Sequence, residues 1–222
     1  MKLIFTTAVL ISFFSTDIYA QFSQKKVNLD CRHLQHIELA YLSRHINYSS
    51  HNKVIEDRTI EQFIKQLDPS KIYLLDADVT AIKSKMTKVF EQIKKNDCSA
   101  LNTAYDLYKT RVIERVAFVK SFLDKNYKLD KTTEFIFDPD QRSFSKTIAE
   151  ANNFSKKYIH FQVANYIATD SSLEEAKSNV IKNYDRMAKR IDEEKERDLY
   201  SLYLDAFAHS LDPHSSYLSA DQ

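Results

Sequence analysis

A chain of 222 residues without a single glycine is sharply limited in what it can fold into. Average usage of about 7% would place roughly 16 glycines in a chain of this length. Phosphate-cradling loops, dinucleotide-binding turns and nucleophile elbows need backbone at positive φ or pressed close to a ligand, which glycine supplies without steric cost. None of these can be built here in its usual form. Helices lose nothing when glycine is kept out of their interiors, and Asn, Asp and short polar runs can close their ends. A helical scaffold is therefore favoured.

Hydrophobic residues make up 43% of the chain, with 14 Phe, 13 Tyr and no Trp, enough for one ordinary core. Lys and Arg number 32 against 31 Asp and Glu, interspersed along the chain. Nucleic acid is not an expected partner, because that needs a concentrated basic surface. At the N-terminus Lys2, an apolar run over residues 3–14 and Ala20 before Gln21 read as a secretory signal cleaved after Ala20. Ile18 is larger than the small residue usual two places before the cleavage residue. The alternative is a membrane anchor, but the run is short of the roughly 20 residues that span a bilayer, and Thr6, Thr7 and Ser12 interrupt it. Cys31 lies too far on for a lipid-modified N-terminus, so the mature chain is expected to be soluble, with no membrane partner.

Cys31 and Cys98 are the two cysteines. An exported chain with two invites one disulfide, which at this loop length could stabilise by about 4 kcal/mol. Two separate thiols are the alternative, since distance in space is not written in the sequence. His33 and His36 near Cys31 lack a matching second pair of ligands, so no metal is expected.

Apolar periodicity lays out the helices. Residues 32–46 carry Leu34, Ile37, Tyr41 and Leu42 on one face, and residues 54–67 carry Ile60, Phe63, Ile64 and Leu67, with Glu61 and Lys65 paired outside. Pro69 then breaks the helix, with Asp68 before it pushed out of the α region. Asp76 or Asp78 can cap a third helix running to about residue 95, with Ile82, Met86, Val89, Phe90 and Ile93 inward. Residues 100–123 form a long helix whose Lys109, Arg111, Glu114 and Arg115 are expected in solvent. Residues 125–143 read as a connection pinned by Phe135 and Phe137. Helical character resumes over residues 144–168, with Asn152 and Asn153 as interruptions. Ser171 and Ser172 with Glu174 and Glu175 offer a capping box for residues 173–191. The charged run 192–198 is a solvated face or junction, and a last helix from Leu199 stops at Asp212-Pro213. The expected fold is all-α, an irregular bundle of about six to seven helices with no sheet.

Two strings are specific. Residues 203–219 run Tyr203-Leu204-Asp205-Ala206-Phe207-Ala208-His209-Ser210-Leu211-Asp212-Pro213-His214-Ser215-Ser216-Tyr217-Leu218-Ser219, a helix stop followed by an anchored exit. This string resembles the segment before the PDZ domain in the carboxyl-terminal processing, or tail-specific, serine proteases of the bacterial periplasm. Leu67-Asp68-Pro69-Ser70-Lys71-Ile72-Tyr73-Leu74-Leu75-Asp76-Ala77-Asp78-Val79 is similar to a helix-turn-helix junction in the N-terminal helical domain of the long, Prc-type members. The resemblance covers residues 30–222. After the signal peptide at 1–20, it implies a helical N-terminal domain at 21–211 and an exit linker at 212–222 toward a missing PDZ domain, with periplasmic location.

The same resemblance implies a module that docks on PDZ and protease domains, in cis or in trans, and helps unfolded or tail-bearing substrates, or a periplasmic adaptor, gain access. The rival expectation is a stand-alone binding, adaptor or inhibitor protein derived from that domain. Phe207, Leu211, Asp212, Pro213, His214, Tyr217 and Leu218 mark the junction, and an exposed apolar patch is expected around Phe207, Leu211, Tyr217 and Leu218. The serine and lysine motifs of the protease core cannot be located, so no catalytic residue is carried over, no cofactor is implied and no activity is expected of the chain alone. Asp212, His214, Ser215 and Ser216 hold the letters of a triad, but adjacent positions on a turn do not give its geometry. Asp76 with Asp78, and Glu193 with Glu194, read as caps and solvated charges, not as an acid and base pair.

Overall fold

The computed structural model describes residues 28–219. The signal segment and the last three residues of the exit linker lie outside them. Eight α-helices follow one another: α1 Cys31–Leu42, α2 Lys53–Leu67, α3 Asp76–Met86, α4 Val89–Lys94, α5 Ser99–Phe122, α6 Ile148–Ala168, α7 Leu173–Glu193 and α8 Glu196–Leu211. No strand forms among the described residues, where pairing is limited to an isolated parallel bridge between Leu75 and Ser145. The fold is all-α.

The extra helix arises because residues 76–95 break at Thr87 and Lys88, the latter at φ 65°. On one side of the break α3 packs on α2 and α5; on the other α4 packs on α1. One straight helix could not deliver Ile82 and Met86 to the first surface and Phe90 and Ile93 to the second. The other boundaries shift for local reasons. Thr147 caps α6 by accepting the Glu150 N–H, and Asn152 and Asn153 sit inside that helix without interrupting it. Asp198 accepts the Lys195 N–H at 2.9 Å, starting α8 three residues earlier than the apolar pattern suggests. Ser172 and Glu175 form the reciprocal box at the start of α7. Glu61 pairs with Lys83 of α3 at 3.7 Å, not with Lys65 on its own helix.

Without glycine, left-handed backbone falls to other residues. Asn96 after α4 and Asp170 after α6 adopt φ 58° and 64°. The next residue in each case sends its N–H five residues back, Asp97 to Gln92 and Ser171 to Tyr166, the Schellman pattern of a helix C-terminus. Asn and Asp tolerate this conformation better than other residues with a Cβ.

One contiguous core joins all eight helices. At its centre α8 packs on α1, α2 and α5, so nearly its whole circumference is buried. Cys31 at the start of α1 is disulfide-bonded to Cys98 just before α5, with Cα atoms 6.0 Å apart. The connection after α5 is tied to the turn after α2. Lys71 Nζ donates to the carbonyls of Pro139 and Arg142, and Arg142 Nη2 donates to Ser70 O. Phe135 pins the connection edge-on against Phe154, Tyr158 and Phe161, and Phe137, though 65% exposed, also reaches Phe161 with ring centres 6.0 Å apart.

Candidate functional site

Two places draw together the residues of the two specific strings. The first is the end of α8 and the exit that follows. Phe207 is fully buried, edge-on to Tyr41 and Phe90, and Leu211 is also buried. The exposed apolar patch expected around them therefore does not form: the last turn of α8 turns its apolar side into the core against α1 and α4. Tyr217 is half-buried against the core, and Leu218, at 74% exposed, alone of the four faces solvent.

The exit is held in place by polar contacts. Asp205 accepts the Tyr217 N–H at 2.9 Å with one oxygen and Gln66 Nε2 at 2.8 Å with the other. Tyr41 Oη donates to Ser216 O at 2.8 Å. Asp212 accepts the His214 N–H with its carboxylate and the Ser215 N–H with its carbonyl. These bonds build a turn after Pro213, as the sequence suggests, and leave Asp212, His214 and Ser215 committed to backbone geometry.

Beneath the exit lies a polar network that periodicity misses. Glu38 of α1 is fully buried and accepts Tyr203 Oη at 2.7 Å. Its other oxygen lies 3.0 Å from His51 Nε2, an ion pair when the imidazole is protonated, though the atoms are not aligned for a hydrogen bond. His51 stacks on Phe90 at 4.3 Å. Thr59 Oγ1 donates to Ser210 Oγ at 2.9 Å, joining α2 to α8. The signal in the sequence was a Glu on the apolar side of α1, beside Leu34 and Leu42.

The second place is the turn after α2. Asp68, only 1% exposed, accepts three backbone N–H groups, from Ile72 at 3.0 Å, Tyr73 at 2.8 Å and Leu74 at 2.9 Å. The carboxylate organises the whole turn. Burial holds its pKa above the ordinary carboxylate value, and the three N–H bonds and nearby Arg142 offset that only in part. Asp78 similarly accepts the Leu75 N–H and binds Arg111 through both oxygens. Asp76 makes its contact through its backbone, donating to Ser145 O at 2.9 Å.

This turn, Tyr73 included, forms one wall of a cleft of about 360 Å³ whose other walls carry Tyr108, Tyr158, Tyr184 and Met187. Tyr73 Oη contacts Met187 Sδ at 2.9 Å. Burial pushes Tyr108 up to about 12 and raises Tyr73 and Tyr184 further. The cleft has amides, hydroxyls and rings on its walls, beside the charged groups of Asp68 and Arg190.

Metal chemistry has no gathered ligand set among the described residues. Cys31 is in the disulfide, and His33 Nδ1 accepts the Asp30 N–H to close the start of α1. No helix among the described residues is long and apolar enough to cross a membrane.

Comparison with known proteins places these features in one group. A tail-specific protease of Haemophilus influenzae is 30% identical over 164 residues, 73% of this chain. The chain spans about a quarter of that relative's length, 24%. The family model for the tail specific protease N-terminal domain matches residues 38–221, taking in the Asp68 turn, the cleft, α8 and the exit. The chain belongs to the tail specific protease N-terminal domain family.

Proposed function

We propose that this chain is a non-catalytic periplasmic module of a tail-specific serine protease. It docks against PDZ and protease domains and helps substrates or an adaptor reach them. Residues 1–20 act as the cleaved signal peptide, residues 21–211 as the docking domain and residues 212–222 as the linker toward the PDZ domain. The observation that carries this reading is the anchored exit. Asp205 and Tyr41 hold residues 216 and 217 against a fully packed α8, giving the linker a defined starting direction. A linker held this way restricts where a following domain can sit.

The test is cleavage of a tail-bearing peptide by a separately produced PDZ and protease segment of the family, with and without the purified chain. Faster cleavage on mixing, and none by the chain alone, is the expected result. Slower cleavage would point to an inhibitor. An unchanged rate, with no association in analytical ultracentrifugation, would overturn the docking reading.

A further inference from the structure

The disulfide and the exit are joined through one helix. Cys31 is the first residue of α1, and its bond to Cys98 fastens that end to the start of α5. Near the other end, about 15 Å along the helix axis, Tyr41 Oη donates to Ser216 O and the Tyr41 ring meets Phe207 edge-on. Tyr41 is thus the side chain by which α1 grips the exit, beside the separate hold of Asp205 on the Tyr217 N–H.

Between these ends α1 is thinly held. Its buried apolar residues are Leu34 and Leu42, and Glu38 lies between them on the same face. That carboxylate is closed to water, yet it receives a single hydrogen bond, from Tyr203, and an unaligned contact from His51. A buried carboxylate satisfied so sparsely offsets part of what the two leucines contribute. The next helix, α2, instead buries Ile55, Ile60, Phe63, Ile64 and Leu67 and packs extensively on α8. Elements with few buried apolar contacts open first, while the rest of a core stays folded. Of these two helices, α1 is that element.

We propose that α1 is a latch on the exit and that the Cys31–Cys98 bond is its redox-controlled fastening. With the bond intact, a detached α1 is still tied at Cys31 and at the start of α2, a closed loop of roughly 20 residues. With the bond reduced, α1 is an arm joined to the rest of the described fold at α2 alone. Relief of that loop closure makes its opening more frequent by on the order of a hundredfold. Opening takes Tyr41 away from Ser216 and Phe207 and leaves the exit its Asp205 anchor. The reductant is a dithiol: its thiolate attacks the S–S bond, both cysteines become thiols, and the dithiol, giving up two electrons, closes into its own disulfide. The inference stands on the contacts of α1, whether or not a further domain docks at the exit.

The test is native-state amide hydrogen exchange of the full chain in low, sub-denaturing guanidinium, oxidised and after dithiothreitol, with a thiol count and a circular dichroism spectrum of the reduced form. In the reduced chain the α1 amides should open on the order of a hundredfold more often, with a shallow denaturant dependence, while α2 and α8 amides keep the steep dependence of global unfolding. The Tyr217 amide should speed up with α1. Joint replacement Cys31→Ala and Cys98→Ala should reproduce this pattern without reductant. Tyr41→Phe cuts the link: α1 should still respond to dithiothreitol, whereas the Tyr217 amide should exchange faster from the outset and lose its response. Exchange of α1 with the same steep dependence as α2 and α8 would overturn the latch, since α1 would then leave only on global unfolding. So would a Tyr217 amide unchanged by reduction, a full response of that amide in Tyr41→Phe, or a disulfide that dithiothreitol leaves intact while the chain is folded.

Discussion

Replacing Asp68 with alanine tests whether a buried carboxylate organises the turn after α2. The substitution leaves three backbone N–H groups without their acceptor, and two of them belong to residues nearly closed to water, Ile72 at 8% and Leu74 at 1% exposure. A buried donor left unsatisfied costs about 1–3 kcal/mol. Tyr73 is less enclosed, and the neighbouring cleft lets water reach part of the turn, so the summed loss is about 3 kcal/mol. Asp68→Asn keeps one oxygen, able to serve Tyr73 and Leu74, and sheds the burial penalty of the charge, so its cost is smaller, about 1–2 kcal/mol. Guanidinium unfolding at pH 7 with the disulfide intact measures both, as a shift in midpoint at constant slope.

The pH dependence carries a sign of its own. The folded-state pKa of Asp68 is raised above the ordinary 3.8, so the folded state holds the proton more tightly than the unfolded one. Wild type should therefore gain stability relative to Asp68→Asn as pH falls from the raised value toward 3.8, and lose that gain as pH rises again. An Asp68→Ala variant within 0.5 kcal/mol of wild type, or as stable as Asp68→Asn, would refute the reasoning, the threshold being about the scatter of surface substitutions.

Three further outcomes follow from the structure. Phe207→Ala, at a fully buried ring between Tyr41 and Phe90, should cost about 3–5 kcal/mol, whereas Leu218→Ala at 74% exposure should leave thermal unfolding unchanged; on the proposed docking role, only the second variant isolates loss of association from loss of fold. Tyr203→Phe removes the donor to buried Glu38 and should cost about 1.5–3 kcal/mol by chemical denaturation, as expected for a hydrogen bond to a charged group. Replacing Cys31 and Cys98 together with alanine opens a loop of 67 residues' separation and should lower stability by up to about 4 kcal/mol, and reductant should then have no effect on the variant.

Much of the helical layout was legible because its causes are local. The apolar spacing of Ile60, Phe63, Ile64 and Leu67, the stops at Pro69 and Pro213 and the box at Ser172 each act within a turn or two. The split at Lys88 was not legible, because only the separate positions of α1 and α5 require it. Nor was the fate of particular polar residues on otherwise sound helices. Arg115 falls on the polar side of α5 by periodicity but is covered by α6, and Glu38 interrupts the apolar side of α1 but finds Tyr203 from α8, 165 residues away.

The absence of glycine, the helical periodicities and the two specific strings determined a helical chain of this family, with left-handed backbone left to residues that carry a side chain. The tertiary structure alone decided which charges are buried, that Phe207 and Leu211 are core instead of docking surface, and how the exit is aimed. The physical reason is that helix formation depends on residues three and four apart, whereas desolvation depends on whatever distant segment arrives to displace water.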